Sequence, residues 1–187
     1  MIREIILTTI SAAGEPHLAP MGVHVLDEGR YLVMPFRPSR TLDNLVATGT
    51  AVMNYCEDVR VFAGCLTGRR DWPLSPADEV AGVRLAETLG HAELLVDRFE
   101  DDPVRAKFYC RVIHEATHQP FKGYNRAQIA VLEAAILVSR LDRLPPERIR
   151  TEIQYLSIAI EKTAGPHEQE AWDWLMDRVN QHLGGRA

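Results

Sequence analysis

The sequence has only three cysteines, Cys56, Cys65 and Cys110, and no C-x-x-C pair. An odd number at such spacing offers neither a disulfide framework nor a zinc framework, and suits reduced thiols in a cytosolic protein. Long apolar runs are missing too. The N-terminal MIREIILTTISAAG holds one arginine and one glutamate ahead of a β-branched run too short for a signal core followed by a membrane span. No membrane association is expected, and the cytoplasm is the expected location. Positive charge is in deficit: 21 Lys and Arg face 26 Asp and Glu, a formal net charge of -5. That balance opposes nonspecific attachment to a polyanion, whose affinity comes from neutralised phosphates, so no nucleic-acid partner is expected. The common fingerprints are absent as well. No G-x-G-x-x-G follows a strand, no G-x-x-x-x-G-K-[ST] occurs and there is no G-x-S-x-G elbow, which leaves Rossmann, P-loop and serine-hydrolase readings unsupported. Internal repeats and low-complexity tracts are also lacking.

What is there is globular. A chain of 187 residues, 46% apolar and 25% charged, can bury one substantial core, or a main domain with a smaller appendage. Residues 4–10 read as a strand rich in Ile, Leu and Thr, followed by a turn through Gly14 and Pro16 and an antiparallel partner at 17–26. Asp27-Glu28-Gly29 is a second turn, and 30–34 a third strand. Residues 50–55 and 59–66 are predicted as two more strands, separated by an acidic turn at Glu57-Asp58, and strands so closely spaced predict a small barrel. A loop over 67–76 and an ambiguous, helix-like opening at 77–89 precede a predicted hairpin, 91–97 with 105–116. From Gly123 the apolar period becomes helical. Three helices are predicted: one capped by Asn125 with a stripe of Ile129, Leu132 and Ile136, one over 145–165 and one over 167–183 with Trp172, Leu175 and Val179 inward. The predicted fold is therefore α+β and mainly β, a barrel over 1–122 with a C-terminal three-helix subdomain over 123–187 packed on it.

The chain is organised around 31–55, and its centre is a candidate anion site. Ser39 or Thr41 can N-cap a short helix that Gly49 closes, while Arg37 and Arg40 sit beside its N-terminus, where the macrodipole ordinarily favours acids. Free backbone amides, the hydroxyls of Ser39 and Thr41, the Asn44 amide and two guanidiniums would together cradle a phosphate. The alternative is a pair of solvated arginines partly compensated by Asp43. Lys122, Asn125 and Arg126 gather at another helix N-terminus and invite the same two readings.

His114-Glu115-Ala116-Thr117-His118 matches the H-E-x-x-H of zinc hydrolases. That chemistry needs a helix, whereas Phe108 to Ile113 favour a strand, on which i and i+4 stand about 13 Å apart, beyond the reach of one ion. The expectation is a strand end with exposed imidazoles and no metal.

The stretches G-E-P-H-x-A-P-M-G (14–22), PFRPSRTLDNL-x3-G (35–49), Asn54 before Glu57-Asp58, and GYNRA-x3-AVLEAAI-x3-RL (123–141) resemble a domain-of-unknown-function family of the FMN-binding split-barrel superfamily. That resemblance covers nearly the whole chain. It implies a six-stranded split barrel, FMN as cofactor, and a homodimer with the flavin at the subunit interface. The family's occurrence in archaea and in tetrahydromethanopterin-using bacteria implies an oxidoreductase acting on a small, pterin-like substrate; the alternative is a carrier that holds flavin without turnover. By the same resemblance, Arg37, Ser39, Arg40, Thr41 and Asn44 would hold the FMN phosphate. Met21, Gly22, Val23 and His24, with Asn54, would line the ring, and Lys122, Asn125 and Arg126 would reach phosphate or substrate.

Overall fold

Antiparallel pairing organises the first part of the chain. The computed structural model describes residues 1–27 and 29–185. Six strands, β1 (Ile2–Ile10), β2 (Pro16–Asp27), β3 (Arg30–Val33), β4 (Thr50–Tyr55), β7 (Gly90–Glu100) and β8 (Lys107–Thr117), close into a barrel in the order β1-β2-β3-β8-β7-β4. Glu28 of the turn expected at 27–29 lies outside the described residues. The ambiguous stretch 77–89 is not helical: β5 (Leu74–Pro76) and β6 (Val83–Leu85) form a short hairpin instead.

Side chains alternate along each strand with period two. Ile5, Leu7, Val23, Val33, Met53, Ala92, Leu94, Phe108 and Cys110 form the barrel core, joined by Leu42 and Leu45 of α1 (Arg40–Thr48). The intervening residues of β1, β4 and β7 are buried as well, because the hairpin covers them: Thr8, Val52, Asn54, His91 and Glu93 are at most 1% exposed. Polar side chains on this outer face hold the cover by its backbone. Asn54 accepts from the N–H of Leu85 at 2.7 Å, and Thr8 donates to the Val83 carbonyl.

β8 changes face partway along. Leu94 pairs with Val112 but Glu93 with His114, so Ile113 is an extra residue on β8, a β-bulge. Upstream, Phe108 and Cys110 point into the core. The bulge shifts the alternation by one and turns His114, Ala116 and His118 to the outer face, across from His91 and Glu93.

Residues 59–66, predicted as a strand, are helical: α2 spans Val59–Thr67. Val59 and Val61 mimic strand alternation, but the ends carry helix signals. The Asp58 carboxylate accepts from the Arg60 N–H at 3.0 Å, and Gly68 closes the helix in the left-handed region at φ 87°. On a helix, Val59, Ala63 and Leu66 share one face, and all three pack into a helical core.

That core belongs to a second compact unit. The first unit is Met1–Cys56 with Trp72–Phe121; the second is Glu57–Asp71 with the chain from Lys122 on. α3 (Arg126–Val138), α4 (Pro146–Thr163) and α5 (Pro166–Gly184) are the three expected helices, with a 3-10 turn at Leu141–Arg143. Trp172, Leu175 and Val179 of α5 are buried as their spacing predicts, and so are Ile149 and Ile160 of α4. On α3 the buried face differs from the predicted stripe: Ala127, Ala130, Val131, Ala134, Ala135 and Val138 are inside, while Ile129 is 49% exposed. Small side chains on one face let neighbouring helices approach closely, which outweighs the larger apolar area of Ile129.

Candidate functional site

The segment from β3 into α1 is built as the sequence predicts. Ser39 is the N-cap, its Oγ accepting from the Leu42 N–H at 3.3 Å, and Gly49 closes the helix at φ 68°. Arg40 and Thr41 open the helix, so their N–H groups have no intrahelical carbonyl to bond. Arg40 is exposed and Ser39 half-buried. Arg37 is anchored by an ion pair to the Asp101 carboxylate and by Nε donating to the Asp102 carbonyl at 3.1 Å. A cleft of about 350 Å³ opens beside it, lined by Arg37, Leu42, Asp43, Val46, Phe99 and Asp101. Two other predicted members turn inward. Thr41 is 2% exposed, and Asn44 is buried with its amide donating to Thr9 Oγ1 at 2.9 Å. The Asn44 amide thus fastens α1 to β1, and the buried Thr41 hydroxyl is not displayed to a ligand.

The β2 candidates divide by parity. Val23 is fully buried and Met21 packs against the barrel core, so these two offer backbone alone, whereas Gly22 and His24 lie on the other face and are half-buried. On β2, β3 pairs with His24, Val25 and Asp27, so among the described residues β2 from Pro16 to Val23 has no strand neighbour opposite β1. Its backbone polar groups there form an open edge. Asn54 does not line a site. It is fully buried, and its amide is consumed by the carbonyls of Ile6 and Val52, by Thr8 Oγ1 and by the Leu85 N–H. Lys122, Asn125 and Arg126 belong to the helical unit, where the Asn125 side chain caps α3 by accepting from the Ala127 N–H at 2.8 Å.

A second cluster, which sequence spacing did not reveal, sits on the barrel's outer face. Glu93 is fully buried, and its carboxylate accepts the backbone N–H groups of Asp78, Glu79 and Val80 at 2.6, 2.8 and 2.7 Å. Burial pushes this carboxyl up, but those donors and His91 outweigh it and hold it below the ordinary glutamate range. His91, also fully buried, places Nε2 at 3.1 Å from Glu93 Oε1 and 3.3 Å from Asp78 Oδ2, and His114 Nε2 lies 3.3 Å from the same Asp78 oxygen. Asp78, His91, Glu93 and His114 thus offer four ligand atoms within 4.8 Å of one another. His118 is set behind His91, its Nε2 at 2.9 Å from His91 Nδ1 and the rings nearly parallel. Burial, Arg84 and His91 keep the His118 imidazole below its ordinary range. The expectation of exposed imidazoles holds for His118 and needs correction for His114, which is half-buried; both rings are engaged, His118 with His91 and His114 with Asp78. H-x-E at 91–93 was the available signal, since period two puts both on one strand face.

Two of the three cysteines are buried thiols. Burial pushes the Cys65 thiol up to about 11 and the Cys110 thiol up to about 12. Alkylation of the native protein at pH 8 is expected to modify Cys56, which is half-buried, and to reach Cys65 and Cys110 only on unfolding. Mass spectrometry that finds rapid native labelling at Cys110 would contradict the buried placement. Among the described residues no helix is long and apolar enough to cross a membrane.

Comparison with known proteins supplies the remaining context. Residues 3–119 match the family model described as protein of unknown function (DUF447) N-terminal domain, and residues 125–177 match the one described as protein of unknown function (DUF447). No curated protein matches the sequence. An FMN-bound protein of that family from Methanosarcina mazei superposes with a TM-score of 0.80 at 20% identity, covering 95% of this chain and 94% of that one. The 2-nitrobenzoate 2-nitroreductase of Pseudomonas fluorescens gives a TM-score of 0.54 at 16% identity over 62% of this chain and 65% of that one. A Streptomyces globisporus NADH:FAD oxidoreductase gives 0.52 at 14% identity, covering 63% and 72%. At these identities the likeness is one of fold, a six-stranded split barrel.

Proposed function

The chain belongs to the DUF447 family, and on that premise we propose that it is a flavoprotein holding FMN with the phosphate at the N-terminus of α1. The observation that carries this reading is the arrangement over residues 37–41. A capped helix start gathers the first-turn amides of Arg40 and Thr41, the Ser39 hydroxyl and the exposed Arg40 side chain within three residues, with Arg37 held in place by Asp101 and Asp102. An anion there is stabilised by amide donors, by the helix dipole and by charge-assisted bonds at once. The FMN-bound relative supports the identity of the ligand.

The residues fit the cofactor in two parts. Arg37, Ser39 and Arg40 would hold the phosphate, and the open edge of β2 from Pro20 to Val23 would meet the ring through backbone groups, with Gly22 and His24 on the accessible face. Lys122, Asn125 and Arg126 stay outside this assignment. Bound flavin supplies a two-electron redox centre, for which the protein provides position and electrostatics. The oxidoreductase names of two structural neighbours support a reductase role toward a small substrate, and we extend this to a pterin-like molecule and to a homodimer with flavin at its interface.

Purified protein incubated with FMN and desalted is expected to stay yellow at about one flavin per chain. Protein that stays colourless rules the reading out. Reduction of the bound flavin by a nicotinamide, deazaflavin or ferredoxin donor, followed by faster reoxidation with a dihydropterin than with buffer alone, is the result expected of an oxidoreductase. Flavin that is bound but never reduced by any of these donors would mark a carrier instead. Sedimentation with and without FMN tests the dimer.

A further inference from the structure

We propose that Asp78, His91, Glu93 and His114 form a binding site for a first-row divalent metal ion, with Zn²⁺ as the expected occupant, and that the ion fastens the β5–β6 hairpin segment to the outer face of the barrel.

The donor set is chemically specific. Two imidazole nitrogens and two carboxylate oxygens suit zinc and its first-row neighbours better than Mg²⁺ or Ca²⁺, which prefer all-oxygen shells. Spacing agrees. Zn–N and Zn–O bonds of about 2.0–2.2 Å place tetrahedral ligand atoms about 3.3–3.6 Å apart. Three of the donor pairs stand at 3.1, 3.3 and 3.3 Å, and no pair exceeds 4.8 Å, so shifts well below a side chain's length would close the shell.

The ligands are also held as metal ligands are. His91 and Glu93, both fully buried, are aimed at the centre from neighbouring outer-face positions of β7. His91 Nδ1 lies 2.9 Å from His118 Nε2, so an Nδ1–H donated to His118 leaves the Nε2 lone pair for the ion. Glu93 is fixed by its three backbone donors, and one of these, the Asp78 N–H, belongs to the residue that supplies the exposed ligand. An arrangement explained by hydrogen bonding alone is less complete. His91 Nε2 faces two carboxylate oxygens but can carry one proton, and His114 points at the same Asp78 oxygen. A divalent cation satisfies all four groups together. The β-bulge at Ile113 acquires a purpose in this arrangement, since without it His114 would point into the apolar core. Asp78, half-exposed, and His114 give the ion its way in from solvent. The site is separate from the α1 cradle and does not depend on the flavin reading.

Untagged protein, dialysed against chelator and then titrated with Zn²⁺ or Co²⁺, is expected to bind one ion per chain, with an unfolding temperature that rises with metal concentration. Co²⁺ should give the intense visible bands of a tetrahedral site. His114→Ala removes a ligand that is only partly buried, so metal-free stability should change little while affinity falls at least 100-fold. His118→Ala should weaken binding about 10–100-fold by freeing the His91 ring. Wild-type protein that takes up no stoichiometric Zn²⁺, Co²⁺, Mn²⁺ or Fe²⁺ would overturn the proposal, as would binding that His114→Ala and Asp78→Asn both leave unchanged.

Discussion

Glu93→Ala is expected to destabilise the fold by about 3–5 kcal/mol, measured by thermal or denaturant unfolding in the presence of chelator so that no metal contributes. Three backbone N–H groups at Asp78, Glu79 and Val80 lose a buried acceptor together. Each unsatisfied donor costs about 1–3 kcal/mol. The total stays below the sum because Asp78 and Glu79 are exposed and this part of the cover can lift toward water. For a chain of this size that corresponds to a fall of about 6–20 °C in Tm. Glu93→Gln should recover only part of the loss, since its NH₂ group would face amide donors. Asn54 grips the same covering segment at the Leu85 N–H, so Asn54→Ala and Glu93→Ala should not add: once one grip is gone the segment loosens and the second has less to hold. A Glu93→Ala protein that melts within a degree of wild type would show that the carboxylate is not what holds the cover down.

The second large effect concerns the ligand. Arg40→Ala removes an exposed guanidinium from the proposed phosphate site, a charge-assisted contact of about 1.5–3 kcal/mol, so FMN should bind about 10–100-fold more weakly. Riboflavin has the same ring without the phosphate and should bind as before. Unfolding of the flavin-free protein should be unchanged or slightly later, because the substitution relieves a positive charge at a helix N-terminus. Arg37→Ala should differ from it. Arg37 is paired with Asp101 and bonded to the Asp102 carbonyl, so its loss should weaken FMN and also loosen the loop at 101–102. Titrating both flavins into wild type and the two variants at one salt concentration separates these outcomes. Equal losses for FMN and riboflavin would move the phosphate away from α1.

Much of this was legible in the residues because the signals were local. Ser39 and Gly49 bracket α1, Asn125 opens α3, and strand alternation in β1, β2 and β7 follows the core. Features that depend on long-range packing were not. Residues 59–66 fit a strand and a helix equally well by period, and the decision came from capping at Asp58 and Gly68 together with a distant helical core. The polarity of Asn44 and Asn54 suggested ligand contacts, but both amides are spent inside the protein on Thr9 and on the covering hairpin. The cluster at Asp78, His91, Glu93 and His114 draws on three separate stretches, and one of them reaches the right face only through a bulge that carries no sequence signature. Even the H-E-x-x-H string was informative in an unexpected way: on a strand its histidines stand too far apart for one ion, yet His91 on the neighbouring strand lies between them.

The placement of α2 has a bearing on how this polypeptide can be divided. The chain leaves the barrel after Cys56, contributes 57–71 to the helical unit, returns at Trp72 and leaves again at Lys122. No single cut yields both units intact. A fragment ending at 122 keeps α2 but loses α3 and α5, the partners of Val59, Ala63 and Leu66, and would carry an orphaned greasy surface prone to self-association. A fragment beginning at 123 lacks one wall of its own core. On the ribosome, the helix made from 59–67 must likewise wait for more than a hundred later residues before its last packing partner emerges, so early truncation products should be clients of chaperones rather than small soluble barrels.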